Sequence, residues 1–197
     1  MPSFNIIKEV KATDTFRVEA IKGMFDLQSS HIKENFIGEI PIEKEDWNIG
    51  CIVGNSGTGK TIIAKELFSD FIFTAQYKNT SVIDDMPSNV NVRTITKIFN
   101  SVGFSSPPSW LKPYSVLSEG EKMRVNLANA LLSQKNIIVF DEFTSVVDRT
   151  VAKIASFAIA KTIRRENKKF IAVSCHFDIL DWLEPDWIFN TNSMSFQ

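Results

Sequence analysis

The sequence predicts an α/β fold: a doubly wound parallel sheet with a small antiparallel β layer at its N-terminal side. Three observations lead there. The short apolar run Ile49-Gly50-Cys51-Ile52-Val53 enters a glycine-rich turn, and the turn enters a stretch with apolar residues at helical spacing. Ile137-Ile138-Val139-Phe140 and Phe170-Ile171-Ala172-Val173 are continuously apolar, as strands covered by helices on both faces must be. Helical patterns separate these strands, which is the alternation of a parallel sheet. The 197 residues read as one domain, 1–197, with a short helical insertion at about 86–133.

Composition narrows the function. The 44% hydrophobic and 23% charged shares are those of an ordinary globular chain with a full core. A formal net charge of -1 argues against bulk attraction to nucleic acid or anionic lipid and leaves only a local basic patch. Cys51 and Cys175 lie in or beside apolar strand-like runs and read as buried, reduced thiols. The N-terminus lacks a cationic segment followed by an apolar run, and no window approaches a membrane span. The expected location is cytoplasmic, with any membrane part on another polypeptide.

In chain order, residues 4–10, 15–22 and 36–42 roughly alternate apolar and polar side chains, so each is expected to be a strand of the antiparallel layer. Phe25 beside them is the candidate platform for a nucleotide base; an ordinary core or edge aromatic is the alternative. Thr80–Asp85 reads as a strand ending in the carboxylates Asp84 and Asp85. From 90 to 102 a helix is expected, with Val92, Ile95, Ile98, Phe99 and Val102 on one face. Pro107, Pro108 and Pro113 predict a loop over 104–116, pinned by Trp110. Ser118 with Glu121 three residues on is a capping box opening the next helix. Asp148 is expected to cap a helix to about Arg165, with Val151, Ile154, Ala155, Ala158 and Thr162 inward. The cations Arg164, Arg165, Lys168 and Lys169 suit that helix's C-terminal end and solvent. Asp186–Phe189 closes the chain as a short last strand.

The chemistry concentrates in two stretches. Gly54-Asn55-Ser56-Gly57-Thr58-Gly59-Lys60-Thr61 fits the phosphate-binding pattern G-x-x-x-x-G-K-[ST] at every fixed position. Its glycines let backbone N–H groups converge on phosphate oxygens, and the following helix adds its N-terminal dipole. Lys60 can reach the β- and γ-phosphates, and the Thr61 hydroxyl can ligate Mg²⁺. The second stretch ends the buried strand on Asp141 and Glu142, where open α/β sheets place ligands. In P-loop enzymes the Asp at that point completes the Mg²⁺ site, and Glu142 is placed to deprotonate water. His176 follows the strand 170–174, at the C-terminal end where ligands collect; a structural histidine is the bland alternative.

Taken together, the glycine-rich loop, Leu117-Ser118-Glu119-Gly120-Glu121, Asp141-Glu142, Ser145-Val146-Val147-Asp148 and His176 resemble the Walker A, signature, Walker B, D-loop and switch-histidine motifs of ABC-class P-loop ATPases. The order matches, and the resemblance covers nearly the whole chain. Phe104–Trp110, Asp141–Arg149 and Asp181–Trp187 are similar to soluble ABC-type ATPases known chiefly as fusions to a predicted acetyltransferase domain. Glu119 and Glu121 depart from the commoner Gly and Gln, and Glu at the last place is shared with chromosome-maintenance and repair ATPases. Asp84 and Asp85 stand where the Q-loop glutamine of transporters is expected, and the helical insertion is short. Both features speak against transport.

The resemblance implies Mg-ATP sandwiched head to tail between two copies of the chain. Ser118, the Gly120 amide and Glu121 would complete the site in trans, and Asp148 would cross the interface. Glu142 would be the base, His176 would hold the γ-phosphate and water in line, and Asp84 or Asp85 would touch Mg²⁺ or water. Closure would then switch a protein partner, an acetyltransferase among the candidates. The alternatives are an ATP-gated clamp on nucleic acid or protein, a small P-loop kinase and a transporter ATPase subunit.

Overall fold

A computed structural model describes residues 3–11, 15–27, 31–43, 46–78 and 80–197. Its organising strand is β3 (Ile49–Val53), buried at every position. β3 lies between β5 (Lys169–Ser174) and β6 (Trp187–Asn190), both parallel to it. β4 (Ile137–Phe140) runs parallel outside β5, and the two-residue β7 (Ser195–Phe196) pairs antiparallel with β6. Ile72 makes one parallel bridge to Val139, extending the sheet beyond β4. Asp186 fixes the entry to β3: one carboxylate oxygen accepts the N–H groups of Asn48 and Ile49, each at 2.8 Å.

Side chains of each strand alternate between two cores. Ile49, Cys51, Val53, Ile138, Phe140, Phe170 and Ala172 face one, with helices α3 (Val92–Ser101), α5 (Glu119–Leu132) and α6 (Arg149–Glu166). Ile52, Val139, Ile171 and Val173 face the other, with α2 (Lys60–Phe68) and the antiparallel layer. That alternation is the two-residue period of a pleated strand covered on both faces. Burial holds Cys51 as a neutral thiol by pushing its pKa far up. Among the described residues, no helix is long and apolar enough to cross a membrane.

The antiparallel layer pairs β1 (Ser3–Lys11) with β2 (His31–Glu39). The expected third strand is instead helix α1 (Phe16–Phe25). Thr15 caps it by accepting the Val18 N–H, and Glu19 pairs with Lys22 at 2.6 Å. None of its residues is buried, so local capping and helix-forming residues decide the conformation, and the apolar alternation carries no facing information.

Thr80–Asp85 is likewise no strand. The Asp84 and Asp85 N–H groups both donate to the Ser81 carbonyl at 3.1 Å, closing a turn. Ser and Asp side chains favour such turns because they can replace ladder hydrogen bonds locally. Pro107 and Pro108 also behave differently from the loop expectation. They open the short helix α4 (Pro107–Trp110), where a helix has no use for their missing N–H groups. Trp110 pins this segment as expected, donating from Nε1 to the Phe104 carbonyl at 2.8 Å and packing near Phe99. Val92 and Ile154 are corrections too: each is more than half exposed, because the buried stripes run along neighbouring residues such as Ile95, Phe99, Ala155 and Ile159.

The four cations at 164–169 are occupied within the fold. Arg164 donates to the carbonyls of Leu183 and Glu184, ending the short helix α7 (Ile179–Leu183). Lys168 donates to Leu131 and Ser133 at the end of α5, Arg165 pairs with Glu166, and the Lys169 ammonium lies 4.8 Å from the Trp47 ring centroid. Arg164, Lys168 and Lys169 are thus bound to the ends of α7 and α5 and to Trp47, where the expectation was the end of α6 and solvent.

Candidate active site

The parallel strands bring three segments to one edge of the sheet: the loop after β3, the turn after β4 and the end of β5. The first is the glycine-rich loop. Gly57 and Gly59 both have φ of 84°, a left-handed backbone that suits glycine. A Cβ on Gly59 would also lie 2.6 Å from the Phe36 ring, so the loop is packed hard against β2. Behind the loop, buried Thr191 has its hydroxyl 2.6 Å from that of Thr58 and 3.2 Å from the Val53 carbonyl. Asn192 accepts the Asn55 N–H at 2.9 Å. Lys60 reaches back across the loop to the Asn55 carbonyl at 2.6 Å.

In the second segment, Asp141 receives two hydrogen bonds on one carboxylate oxygen. Thr61 Oγ1 donates at 3.2 Å from the helix start, and the Glu142 N–H donates at 2.9 Å. Glu142 and Thr144 have φ of 54° and 66°, two left-handed non-glycine residues within three positions. Such conformations cost about 1–3 kcal/mol each and persist only where surrounding contacts enforce them. Here those contacts are plain: the Phe143 N–H donates to Val173 O at 2.8 Å, and its carbonyl accepts the Ser174 hydroxyl at 2.8 Å. Arg149 forms a two-point ion pair with Asp178 and also reaches Thr144. The turn is thereby held between β5 and α6, with Glu142 exposed at its apex.

A cavity of about 450 Å³ joins the loop to the turn, within the size range of small-molecule sites. Gly57, Lys60, Thr61, Asp141, Glu142 and Cys175 line it. His176, half-buried beside Cys175, has its backbone N–H held by Ser174 Oγ at 3.1 Å and is not among the lining residues. Phe25 is 69% exposed at the end of α1 and does not line the cavity either.

No residue of the signature stretch lines this cavity, and Glu119 lines a smaller one that shares Asp141 and Glu142 with it. Ser118 accepts the Glu121 N–H, while Glu121 accepts the Ser118 N–H at 3.0 Å and hydroxyl at 2.9 Å, completing the capping box. The Ser109 hydroxyl, followed by Ser118, holds the Glu121 carboxyl below its ordinary range. A Cβ on Gly120 would meet Val151 at 3.3 Å, so the start of α5 lies against α6. Asp148 caps α6 as expected, accepting the N–H groups of Thr150 and Val151 at 2.9 and 3.1 Å.

Asp84 and Asp85 are engaged elsewhere: Asp84 accepts the Ser81 hydroxyl and Asp85 the Lys78 N–H. Neither lines the cavity. The segment preceding the helical region is instead marked by the Ile72 bridge to β4, with the Phe73 N–H on Val139 O at 2.8 Å. Three residues later stands Gln76. Its neighbours Ala75 and Tyr77 line a cavity that Asp141 shares, and Tyr77 donates to Asn126 of α5 at 2.6 Å. Phe71-Ile72-Phe73 was the available signal, but three apolar residues without alternation make a weak strand pattern. Thr191 and Asn192 have no motif to announce them, and Arg149 closes a quoted stretch, Asp141–Arg149, that gave it no role.

A phosphate-type loop opening a helix, facing paired carboxylates at the ends of parallel strands, defines a P-loop α/β nucleotide-binding domain. Comparison with known proteins makes the class more specific. The family model described as ABC transporter matches residues 71–145. The probable peptide export ATP-binding protein YydI of Bacillus subtilis (strain 168) is 30% identical over 164 residues, covering 72% of this chain and 78% of that protein. The dimeric post-hydrolysis structure of the ATP-binding cassette MJ0796, bound to ADP and Pi, superposes with a TM-score of 0.64 at 14% identity, over 95% of this chain and 92% of that one. A bacterial Atm1-family ABC exporter with ATP bound gives 0.60 at 18% identity over 73% of this chain; the match spans 32% of the exporter chain. At these identities the solved structures show the fold. The chain belongs to the ATP-binding proteins of the ABC transporter family, and it is an ABC-type ATPase.

Proposed function

We propose that two copies of this chain close head to tail around two Mg-ATP and transmit that closure to a membrane-embedded export partner. The observation that carries the reading is the meeting of Thr61, Asp141 and Glu142 at one end of the loop cavity, while Ser118 and Glu121 lie outside it. One chain thus presents a phosphate half and, elsewhere, a signature half, and a two-fold pair would join each to its counterpart.

Within that pair the loop amides, Lys60 and the α2 N-terminus bind and orient the phosphates. Ser118 and the Gly120 amide meet the γ-phosphate from the second copy, and Asp148 crosses beside them. Mg²⁺ fits Thr61 and Asp141: a hydroxyl and a carboxylate 3.2 Å apart are the sparse hard-oxygen set that this ion uses with phosphates and water. When bound, it neutralises charge on the β- and γ-phosphate oxygens. Glu142 takes the proton of the attacking water, and the enforced left-handed turn keeps its carboxylate at the cavity wall. His176 aligns the γ-phosphate and water, and Gln76 replaces Asp84 and Asp85 in the position that senses them.

The export partner is favoured over the acetyltransferase and nucleic-acid partners because the 30%-identical relative is described as a peptide export ATP-binding protein. The displacement of the Q-loop position to Gln76 also removes one objection to transport. Occupied cations at 164–169 and a net charge of -1 give nucleic acid no evident footing. The kinase alternative falls with family membership. On this reading the chain works at the cytoplasmic face of a membrane.

Mixing two inactive variants tests the shared site. Lys60→Ala removes the phosphate half and Ser118→Arg the signature half. Mixing them should restore part of the ATPase rate, because a heterodimer rebuilds one intact site. A mixture as inactive as its components would contradict a site made by two chains.

A further inference from the structure

One cation in the cavity belongs to none of the motifs. β1 alternates over its first residues: Phe4 is buried and Ile6 packs on the core beneath the layer, whereas Ile7 is 56% exposed on the opposite face. Lys8, itself exposed, has the strand parity of Phe4 and Ile6. Two residues past Ile6 that face meets the cavity, where Lys8 lines the wall with Gly57, Gly59 and Ile62. The placement is fixed by packing: Phe36, opposite Ile6 in the ladder, is the ring pressed against Gly59. Among the described residues Lys8 has no hydrogen-bond or ion-pair partner, although Glu34 stands opposite it in the register.

We propose that Lys8 is a phosphate-contacting residue, so that the β1–β2 layer binds the polyphosphate directly from beside the glycine-rich loop. The inference rests on the cavity being the ATP phosphate site. An ammonium on the cavity wall, beside loop amides and Lys60, suits an anion of high charge density.

The test is Mg-ATP binding by calorimetry at low and high salt, for wild type, Lys8→Ala and Lys8→Arg, with free inorganic triphosphate as a competing probe. Lys8→Ala should weaken both ligands roughly five- to tenfold at low salt and flatten the salt dependence. Lys8→Arg should keep most of the affinity, and the melting temperature without ligand should not move. Wild-type affinity and salt dependence in Lys8→Ala would overturn the inference while leaving the nucleotide site intact. Equal losses in Ala and Arg variants, with lowered melting temperatures, would overturn it as a packing effect. A wild-type chain that binds no Mg-ATP would overturn the proposed function as well.

Discussion

At the scale of single residues, Asp141 gathers the site. One oxygen accepts both the Thr61 hydroxyl and the Glu142 amide, so loop, carboxylate pair and helix start are coupled by two short contacts. Glu142→Gln keeps that geometry and removes only the carboxylate proposed as the base; single-turnover rates should fall about 10²–10⁴-fold with ATP affinity preserved. Thr191→Val tests the support behind the loop. It keeps the volume and loses the hydroxyl shared with Thr58 and Val53, while the Thr58 hydroxyl keeps Asn55 O and the Val53 carbonyl keeps the Thr191 N–H. A cost of about 0.5–1.5 kcal/mol in urea unfolding is expected, with a raised KM for ATP. Glu121 adds a pH dependence. Its folded pKa lies below the unfolded one, so its contribution is full above the unfolded value, about 4.3, and is lost as pH falls through the lower folded value. The stability gap between wild type and Glu121→Gln should therefore shrink on acidification in urea titrations from neutral pH downward.

Among elements, α5 was the most legible. Ser118 and Glu121 at capping-box spacing announced its start, and both reciprocal hydrogen bonds form. Ser118→Ala should cost about 1 kcal/mol from the lost cap, read as a shift in the urea midpoint. A larger loss in ATPase than that shift explains would mark the same hydroxyl as a ligand contact. β3, β4 and β5 were equally legible, because burial on both faces leaves little but apolar residues. α1 was not: a helix that buries nothing has no face for periodicity to report. The turn at 82–85 failed for a related reason, since Val82 and Ile83 imitate a strand while Ser81 closes the backbone on itself. The Walker motifs are visible as local patterns, whereas Thr191 and Lys8 are brought to the loop by long-range packing and have no local signature.

At the scale of the molecule, sheet order explains why these parts meet. β3 sits between β5 and β6, so the P-loop has the β5 end on one side and the Thr191–Asn192 segment on the other. Both cores share this sheet, and the loop and turn are held to it at several points. On the proposed function such a half-site closes on a second one, which makes association, more than internal rearrangement, the expected response to ATP. The most direct measurement is light scattering of Glu142→Gln with and without Mg-ATP. A monomer is expected without nucleotide and a dimer with it, the dimer being lost when Lys60→Ala or Ser118→Arg is added. A chain that binds Mg-ATP and stays monomeric would contradict a sandwich formed by two copies.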